Sequence, residues 1–330
     1  MCTYNGTRYV REQLASLAAQ TRPPDELVVC DDRSTDGTPE VVGEFAQSAP
    51  FDVRLHVNSE NVGSTKNFGT AVALCTGDVV ALCDQDDVWL PHKLSAYERA
   101  FDERPEVGLV FTDAEVVDEQ LRPLGYRLWE SLDFGAAKQE RFRSGAAFEM
   151  MLERTIVTGA TMAFRASFKE LVLPLRDLRV QGFGLPGWNL IHDGWIAILI
   201  SCAAGLLPLP EVTMKYRQHS GQQIGSGPPE SKTAEPARAN APRASFERGV
   251  YADELERLGA LRERLAARAG AFACGPAAAE LAARMAHYRA RLGLPAGRLR
   301  RVPSVLRELL TRRYFHYSNG VRSAARDLMS

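Results

Sequence analysis

The amino-acid sequence predicts an α/β fold in which a mostly parallel sheet is flanked by helices. In the first half of the chain, stretches with helical spacing of apolar residues alternate with short apolar runs that indicate strands. Two of these runs end directly in acidic clusters, one at Asp31 and one at Asp84. Apolar residues make up 45 % of the 330 residues and charged residues 25 %, which is enough for a sizeable core.

The predicted elements follow one another at the spacing of a sheet with crossover helices. Helical patterns cover residues 9–20, 38–48, 65–74 and 94–103. Strand patterns cover residues 26–30, 53–57, 79–83 and 107–112. The apolar run 196–209 is shorter than the roughly 18 residues that span a bilayer, so we expect a buried helix followed by a strand there.

The chain is predicted to have three parts. Residues 1–224 form the α/β domain, residues 225–245 are a linker rich in Gly, Pro, Ala, Ser and Arg, and residues 246–330 are helical. Leu255, Leu258, Leu261 and Leu265 form one apolar stripe of the helical part. Nine arginines fall between positions 284 and 313, against a single acidic residue.

Charge and cysteine content restrict the partners and the compartment. A net charge of −1 gives no basic field for nucleic acid. The six scattered cysteines lack CxxC spacing and the start has no apolar signal segment, so we expect a cytoplasmic protein with reduced thiols. The arginine-rich segment predicts peripheral contact with the inner membrane face. The alternative is a helical subdomain that packs on the α/β domain with its arginines in solvent.

Residues 79–94, VVALCDQDDVWLPHKL, end a strand in three carboxylates within four positions. Like charges this close raise each other's pKa, so the cluster indicates a positive partner. Alternate residues of an extended segment face the same way, so Asp84 and Asp86 can face one ligand. Such oxygen donors suit Mg²⁺ or Mn²⁺ held together with substrate phosphates. The alternative is a solvated acidic turn in which Asp87 is a helix N-cap.

Further candidate residues stand at strand ends and helix starts. Asp32 follows the second predicted strand, at the sheet edge where ligands of such folds bind. Lys66, after Asn-Val-Gly at a helix start, indicates either an anion site or a glycine turn with an exposed lysine. Asp193 lies in a loop with aromatic rings, where it could deprotonate a sugar hydroxyl or only cap a helix. His219 follows the last strand and is a candidate metal or phosphate contact.

In their order, these motifs resemble the family 2 glycosyltransferases, which are inverting, metal-dependent enzymes with the GT-A fold. The resemblance covers about residues 1–224 and consists of TYNG, VVCDDRSTDGT, NVGSTKN, GDVVALCDQDDVW, TGATMAFR, HDGW and YRQH. CDQDDVWLPHKL and YRQHSGQ are most similar to bacterial rhamnosyltransferase-like members that build surface polysaccharides. The resemblance implies Mn²⁺ or Mg²⁺ as cofactor, and transfer from a nucleoside-diphosphate sugar to a glycan or lipid-linked acceptor.

The resemblance also implies a role for each matching residue. The donor site would be formed by residues of the first four motifs together with Cys2, which precedes them: Cys2, Thr3, Tyr4, Asp32, Lys66, Asp84, Gln85 and Asp86. Tyr4 would stack on the base, Asp32 would accept the pyrimidine N3–H and Asp84 would face the ribose. Asp86 would hold the metal ion, with His219 near the ion or the diphosphate. The acceptor side would be formed by residues of the later motifs and of the Gly-rich loop before HDGW: Gly159, Trp188, His192 and the general base Asp193.

The start of the chain departs from the family pattern, in which several apolar residues of a central strand precede TYN. Met1 stands where that strand should be finishing. We therefore expect a gap or a makeshift strand at the sheet centre, poor solubility, and a natural chain that begins several residues earlier. Two other functions stay open: an inactive relative that binds sugars or nucleotides, and a metal-dependent nucleotidyltransferase.

Overall fold

The computed structural model describes residues 1–178, 190–222 and 243–329, without the side chains of residues 243–248. These residues form two compact units, a first unit of residues 1–178 and 190–222 and a second unit of residues 243–329. Trp188 and residues 225–242 of the predicted linker lie outside the described residues. Over the three described ranges, each helix is too short or too polar to cross a membrane.

The first unit alternates strands and helices along its first half, as predicted. Its strands are β1 (Cys2–Thr3), β2 (Glu26–Asp31), β3 (Asp52–Val57), β4 (Val79–Ala81), β5 (Val88–Trp89), β6 (Val107–Val117), β7 (Pro123–Arg127), β8 (Met162–Arg165) and β9 (Gly205–Arg217). Its helices are α1 (Val10–Ala18), α2 (Thr38–Ala46), α3 (Ser64–Leu74), α4 (Lys93–Glu103), α5 (Leu128–Ser131), α6 (Ala136–Arg141), α7 (Ala147–Glu153), α8 (Lys169–Val172) and α9 (His192–Ser201). The predicted elements between residues 9 and 112 are confirmed with small shifts at their ends.

The strands of the first unit form two sheets. The first sheet has the order β1-β2-β3, and both of its pairs are parallel. The second has the order β4-β8-β6-β9-β5, with β7 paired to β6. It is mixed, because β8 and β5 run antiparallel to their neighbours while β6 and β9 are parallel. The predicted parallel arrangement therefore holds for the first sheet and for β6 with β9, whereas β5, β7 and β8 run antiparallel to their neighbours.

Strand β1 is two residues long and lies between the two sheets. The N–H of Cys2 donates to Cys83 O at 3.2 Å, and the N–H of Cys30 donates to Met1 O at 3.0 Å. The amino-terminal ammonium donates to Val28 O at 2.7 Å. Beyond Met1, a cavity of about 620 Å³ lies where β2 and β4 face each other. This cavity lies at the end of β1 opposite the acidic clusters.

Helix α9 supplies much of the core of the first unit. Its residues 194–200 are all buried, because Gly-Trp-Ile-Ala-Ile-Leu-Ile is apolar around the whole helix. The indole N–H of Trp195 donates to Val172 O at 2.8 Å, which satisfies the buried polar atom of this ring. The predicted buried helix followed by a strand is thus confirmed as α9 and β9. The consequence is a rigid support beneath Asp193, which lies in the first turn of α9.

The second unit is entirely helical in its described residues. Its helices are α10 (Arg243–Ala267), α11 (Gly275–Leu292), α12 (Arg298–Leu310), α13 (Arg313–Tyr317) and α14 (Val321–Met329). Of the predicted apolar stripe, Leu258, Leu261 and Leu265 are buried. Because α10 begins at Arg243, the last three residues of the predicted linker are helical.

Candidate active site

A cavity of about 400 Å³ opens beside the carboxyl ends of β1, β2 and β4. This is the sheet edge at which ligands of open α/β folds bind. The predicted site residues that line it are Cys2, Thr3, Tyr4, Asp32, Asp84, Gln85, Asp86, Gly159, His192, Asp193 and His219. Lys66 is exposed on α3 and is not among the lining residues, and Trp188 lies outside the described residues. The structure therefore brings nearly all of the predicted residues to one cavity.

Gln85 joins the TYNG loop to the acidic loop across one wall of the cavity. The N–H of Tyr4 donates to Gln85 Oε1 at 2.8 Å, and Gln85 Nε2 donates to Tyr4 O at 3.0 Å. A Cβ at Gly6 would lie 2.1 Å from Gln85 Oε1, so this contact requires glycine there. The side chain of Tyr4 is 49 % exposed, which leaves its ring accessible to a planar ligand.

The two acidic residues at the end of β2, Asp31 and Asp32, differ in their surroundings. Asp31 is fully buried and accepts a hydrogen bond from Thr3 Oγ1 at 2.6 Å, so it stabilises the turn. Asp32 lines the cavity, where its Oδ1 accepts from Val62 N–H and its Oδ2 from Gly63 N–H, both at 2.8 Å. A carboxylate has about four acceptor sites, so Asp32 Oδ2 can accept one more bond from a ligand.

The acidic loop after β4 concentrates negative charge in a buried place. Burial, with the carboxylates of Asp86 and Asp193 nearby, raises the pKa of Asp84 to about 7. Burial and the neighbouring carboxylates also raise the pKa of Asp87, which is 1 % exposed. Asp87 Oδ1 accepts from Arg217 N–H at 2.9 Å, and α4 begins only at Lys93, so Asp87 is neither solvated nor an N-cap. Such a cluster favours a bound cation.

Arg217 fixes the backbone of the acidic loop, a role that the sequence did not reveal. Its Nε donates to Asp86 O and its Nη1 to Glu119 O, each at 2.6 Å, and its Nη2 bonds to Glu12. The guanidinium also lies over the ring of Tyr9, 4.7 Å from the centroid. The signal was present in YRQH, where Arg217 is the last residue of β9 and stands two positions before His219.

Asp86 and His219 form a pair that fits two ligand positions of a divalent ion. His219 Nε2 lies 2.8 Å from Asp86 Oδ2. Adjacent ligands of an octahedral ion with bonds of about 2.1 Å are roughly 3 Å apart, so the spacing suits the ion. Within the described ranges, no group of three His, Cys, Asp or Glu side chains could hold a metal by itself. The remaining ligands would have to come from substrate phosphates and water.

Two backbone N–H groups hold the carboxylate of Asp193 in the cavity. Its Oδ2 accepts from Gly159 N–H at 3.2 Å and its Oδ1 from Gly194 N–H at 2.6 Å. The N-cap position of α9 is Ile191, so Asp193 is not the helix cap. The ring of His192 stacks on Phe68 with 4.2 Å between centroids. These contacts orient a carboxylate into the cavity without enclosing it.

Lys93 is a second residue whose part in the site was missed. It is fully buried, and its Nζ donates to Ala160 O at 2.6 Å and lies 4.4 Å from the ring centroid of Trp89. Burial lowers the pKa of Lys93 to about 7. The bond to Ala160 O fixes the loop next to Gly159. In the sequence, Lys93 looked like any lysine at the start of an exposed helix.

Comparisons with known proteins point to one family. The family model described as Glycosyl transferase family 2 matches residues 1–172. The uncharacterized protein Rv1520 of Mycobacterium tuberculosis is 36 % identical over 226 residues, which are 66 % of this chain and 57 % of that protein. The uncharacterized glycosyltransferase alr2836 of Nostoc sp. is 28 % identical over 222 residues, 66 % of this chain and 62 % of that protein. This chain therefore spans less than two thirds of the length of either relative.

Among solved structures, S. aureus TarS 1-349 in complex with UDP-GlcNAc has a TM-score of 0.52 with this chain. The sequences are 16 % identical, and the match covers 98 % of this chain and 88 % of the TarS chain. At this identity the similarity establishes a common fold.

Proposed function

Because this chain belongs to glycosyl transferase family 2, we propose that it transfers a sugar from a nucleoside-diphosphate sugar to an acceptor hydroxyl with inversion at the anomeric carbon. The observation that carries the proposal is that residues of the donor motifs and Asp193 line the same cavity. The acceptor in this proposal is a glycan or a lipid-linked glycan.

Tyr4, Asp32 and Asp84 are proposed to bind the nucleoside of the donor. The accessible ring of Tyr4 would stack on the base, and Asp32 Oδ2 would use its spare acceptor site for a pyrimidine N3–H. Asp84 would accept a ribose hydroxyl at the floor of the cavity. Cys2, Thr3 and Gln85 line the same wall and complete this subsite. Lys66, exposed on α3, is proposed to help bind the phosphates of the donor.

Asp86 and His219 are proposed to bind Mn²⁺ or Mg²⁺ together with the diphosphate of the donor. When bound, the ion would act as a Lewis acid for the departing nucleoside diphosphate. Arg217 would keep Asp86 and His219 at their spacing, because its guanidinium holds the backbone of one and it is close in sequence to the other. The raised pKa of Asp84 is consistent with a site that needs positive charge.

Asp193 is proposed to be the general base. The acceptor hydroxyl would give its proton to Asp193 while its oxygen forms a bond to the anomeric carbon. The bond between that carbon and the diphosphate oxygen would break on the opposite face, so the configuration inverts. Gly159 and His192, and Trp188 outside the described residues, would contact the acceptor. A Cβ at Gly159 would lie 3.0 Å from His192 Nε2, so a larger residue at position 159 would displace the His192 ring.

The finer assignments rest on the motifs and are also proposals. CDQDDVWLPHKL and YRQHSGQ favour L-rhamnose as the sugar and a cell-surface polysaccharide as the product. The protein would act in the cytoplasm, at the inner membrane face where a lipid-linked acceptor is accessible.

The test is a thermal-shift screen of nucleotide-sugars with Mn²⁺ or Mg²⁺, followed by product analysis. A ligand at 100 times its Kd should add about 2.7 kcal/mol of stability. The ligand that stabilises the protein is then incubated with metal, and NMR gives the anomeric configuration of the product. An inverted product supports the proposal. The absence of any metal-dependent shift would contradict it, and pyrophosphate release from a nucleoside triphosphate would favour a nucleotidyltransferase instead.

A further inference from the structure

The last helices of the second unit expose only positive charge. Residues 293–329 contain two acidic residues, Glu308 and Asp327, which are 1 % and 8 % exposed. His287 Nδ1 lies 2.8 Å from Glu308 Oε2, and Arg291 Nε donates to Asp327 Oδ2 at 2.7 Å. Within residues 293–329, the exposed Asp, Glu, Lys and Arg side chains are therefore all arginine: Arg298, Arg300, Arg307, Arg312 and Arg322.

Helix α12 also carries an apolar stripe on its outer face. Leu299, Leu306 and Leu310 are 87 %, 53 % and 84 % exposed. At about 100° per residue, positions seven and four apart lie within roughly 40° of one another around the helix. The buried residues of α12 include Val305 and Glu308, which lie on the opposite side of the helix. The leucine stripe is therefore not used to pack the second unit.

The arginines of α12 border this stripe. By the same helical geometry, Arg298 lies on one side of the leucines, and Arg300 and Arg307 lie on the other. A helix with an apolar stripe between basic side chains is the form that lies in the plane of a bilayer interface. Its leucines enter the boundary between headgroups and acyl chains, and its arginines reach lipid phosphates.

We propose that α12 docks this protein on the surface of an anionic lipid bilayer through the stripe of Leu299, Leu306 and Leu310 and its bordering arginines. This deepens the proposed function, because a lipid-linked acceptor is presented at such a surface. The docking face uses only part of the arginine-rich segment. Arg291 and Arg301 are 7 % exposed and bond to Asp327, so they belong to the interior of the second unit.

The arginines that border the leucine stripe favour a bilayer over a second copy of this chain as the partner that contacts α12. If two copies met through their leucine stripes, the bordering arginines of both would be brought together. Residues 293–329 offer no exposed carboxylate to pair with them. An anionic bilayer supplies an apolar layer and negative phosphates in the arrangement that α12 requires.

The test is co-sedimentation of the full chain with vesicles of phosphatidylcholine alone or mixed with phosphatidylglycerol. We expect binding only to the mixed vesicles, and weaker binding as salt is raised. Each basic residue at such a surface contributes about fivefold in affinity, so replacing Arg298, Arg300 and Arg307 by Ala together should weaken binding about 100-fold. Leu310→Ser should weaken it about tenfold.

Leu124→Ser is the matched control, because Leu124 is 44 % exposed on β7 of the first unit and should not affect vesicle binding. Binding that is independent of phosphatidylglycerol, or unchanged in Leu310→Ser, would overturn the proposal. So would a Leu310→Ser protein that loses only self-association by light scattering. The nucleotide-sugar thermal shift of the α12 variants, measured without vesicles, should equal that of the wild type, which separates a failure of docking from a failure of the proposed function.

Discussion

Replacement of Asp193 by Asn tests the chemistry of the site more directly than any other single change. Asn keeps the size and shape of the side chain and removes its ability to take a proton. In the structure, the two carboxylate oxygens of Asp193 accept from Gly159 N–H and Gly194 N–H. An amide can accept only one of these bonds, so its NH₂ group would face the other N–H. The perturbation is therefore local and has a chemical part and a structural part.

The two parts differ in size. Loss of a general base typically lowers the rate about 10²- to 10⁴-fold, which corresponds to about 2.7–5.5 kcal/mol in the barrier. The structural part is one hydrogen bond to a partly buried carboxylate, which costs about 1–3 kcal/mol of stability. Binding of the donor should change little, because Asp193 is proposed to contact the acceptor. We therefore expect normal donor affinity, a small loss of thermal stability, and transfer that is nearly abolished.

Calorimetry of donor binding and a rate assay of sugar transfer measure these effects separately. Asp118→Asn is the matched control, because Asp118 Oδ1 also accepts two backbone N–H bonds, from Gln120 and Arg122 at 2.9 Å, but lies outside the cavity. The control should retain the wild-type rate of transfer. If Asp193→Asn transfers sugar as fast as the control, Asp193 only stabilises the first turn of α9, and the proposed base is wrong.

Three further changes test the walls of the cavity. Asp86→Asn should lower the affinity for a nucleoside diphosphate with Mn²⁺ about tenfold or more by calorimetry, and an unchanged affinity would contradict its role as a ligand. Gly6→Ala should displace the side chain of Gln85 and weaken donor binding. In a protein that already carries Gln85→Ala, Gly6→Ala should have no effect on donor affinity, and a double-mutant cycle measures this difference. Arg217→Met should lower the unfolding temperature, because Asp86 O and Glu119 O lose their hydrogen-bond donor. Each unpaired carbonyl should cost about 1–3 kcal/mol of stability. A variant with wild-type stability and metal affinity would refute the positioning role of Arg217.

The sequence predicted the first half of the fold because its information there is local. The apolar periodicity of residues such as Val10, Leu14 and Leu17 indicates α1, and all three are buried. The antiparallel strands β5 and β8 were not predicted. They are two and four residues long, too short for a period-2 pattern, and their direction depends on pairing with β9 and β6. The sequence of one segment does not indicate which distant strand it will pair with.

The sequence indicated candidate residues that would contact a ligand directly. It did not indicate residues that hold those candidates in position. Asp84 and Asp86 were chosen as candidates because three carboxylates stand within four positions, and Asp193 because it lies in a loop with aromatic rings. Arg217 and Lys93 were not, since a buried cation is distinguishable from an exposed one only by its neighbours. The role of Asp31 was likewise hidden, because its bond to Thr3 joins residues 28 positions apart.

Strand β1 is only two residues long, yet its hydrogen bonds join two loops that line the cavity. At the cavity end of β1, Thr3 O accepts from Asp32 N–H at 2.8 Å, and Cys2 N–H reaches Cys83 O. The turn after β2 and the loop after β4 are therefore joined through β1, and the Tyr4–Gln85 pair adds a second link. At the other end of β1, beside Met1, lies the cavity of about 620 Å³ between β2 and β4. The hydrogen bonds that join the two loops are at the opposite end of β1, beside the cavity of the candidate active site.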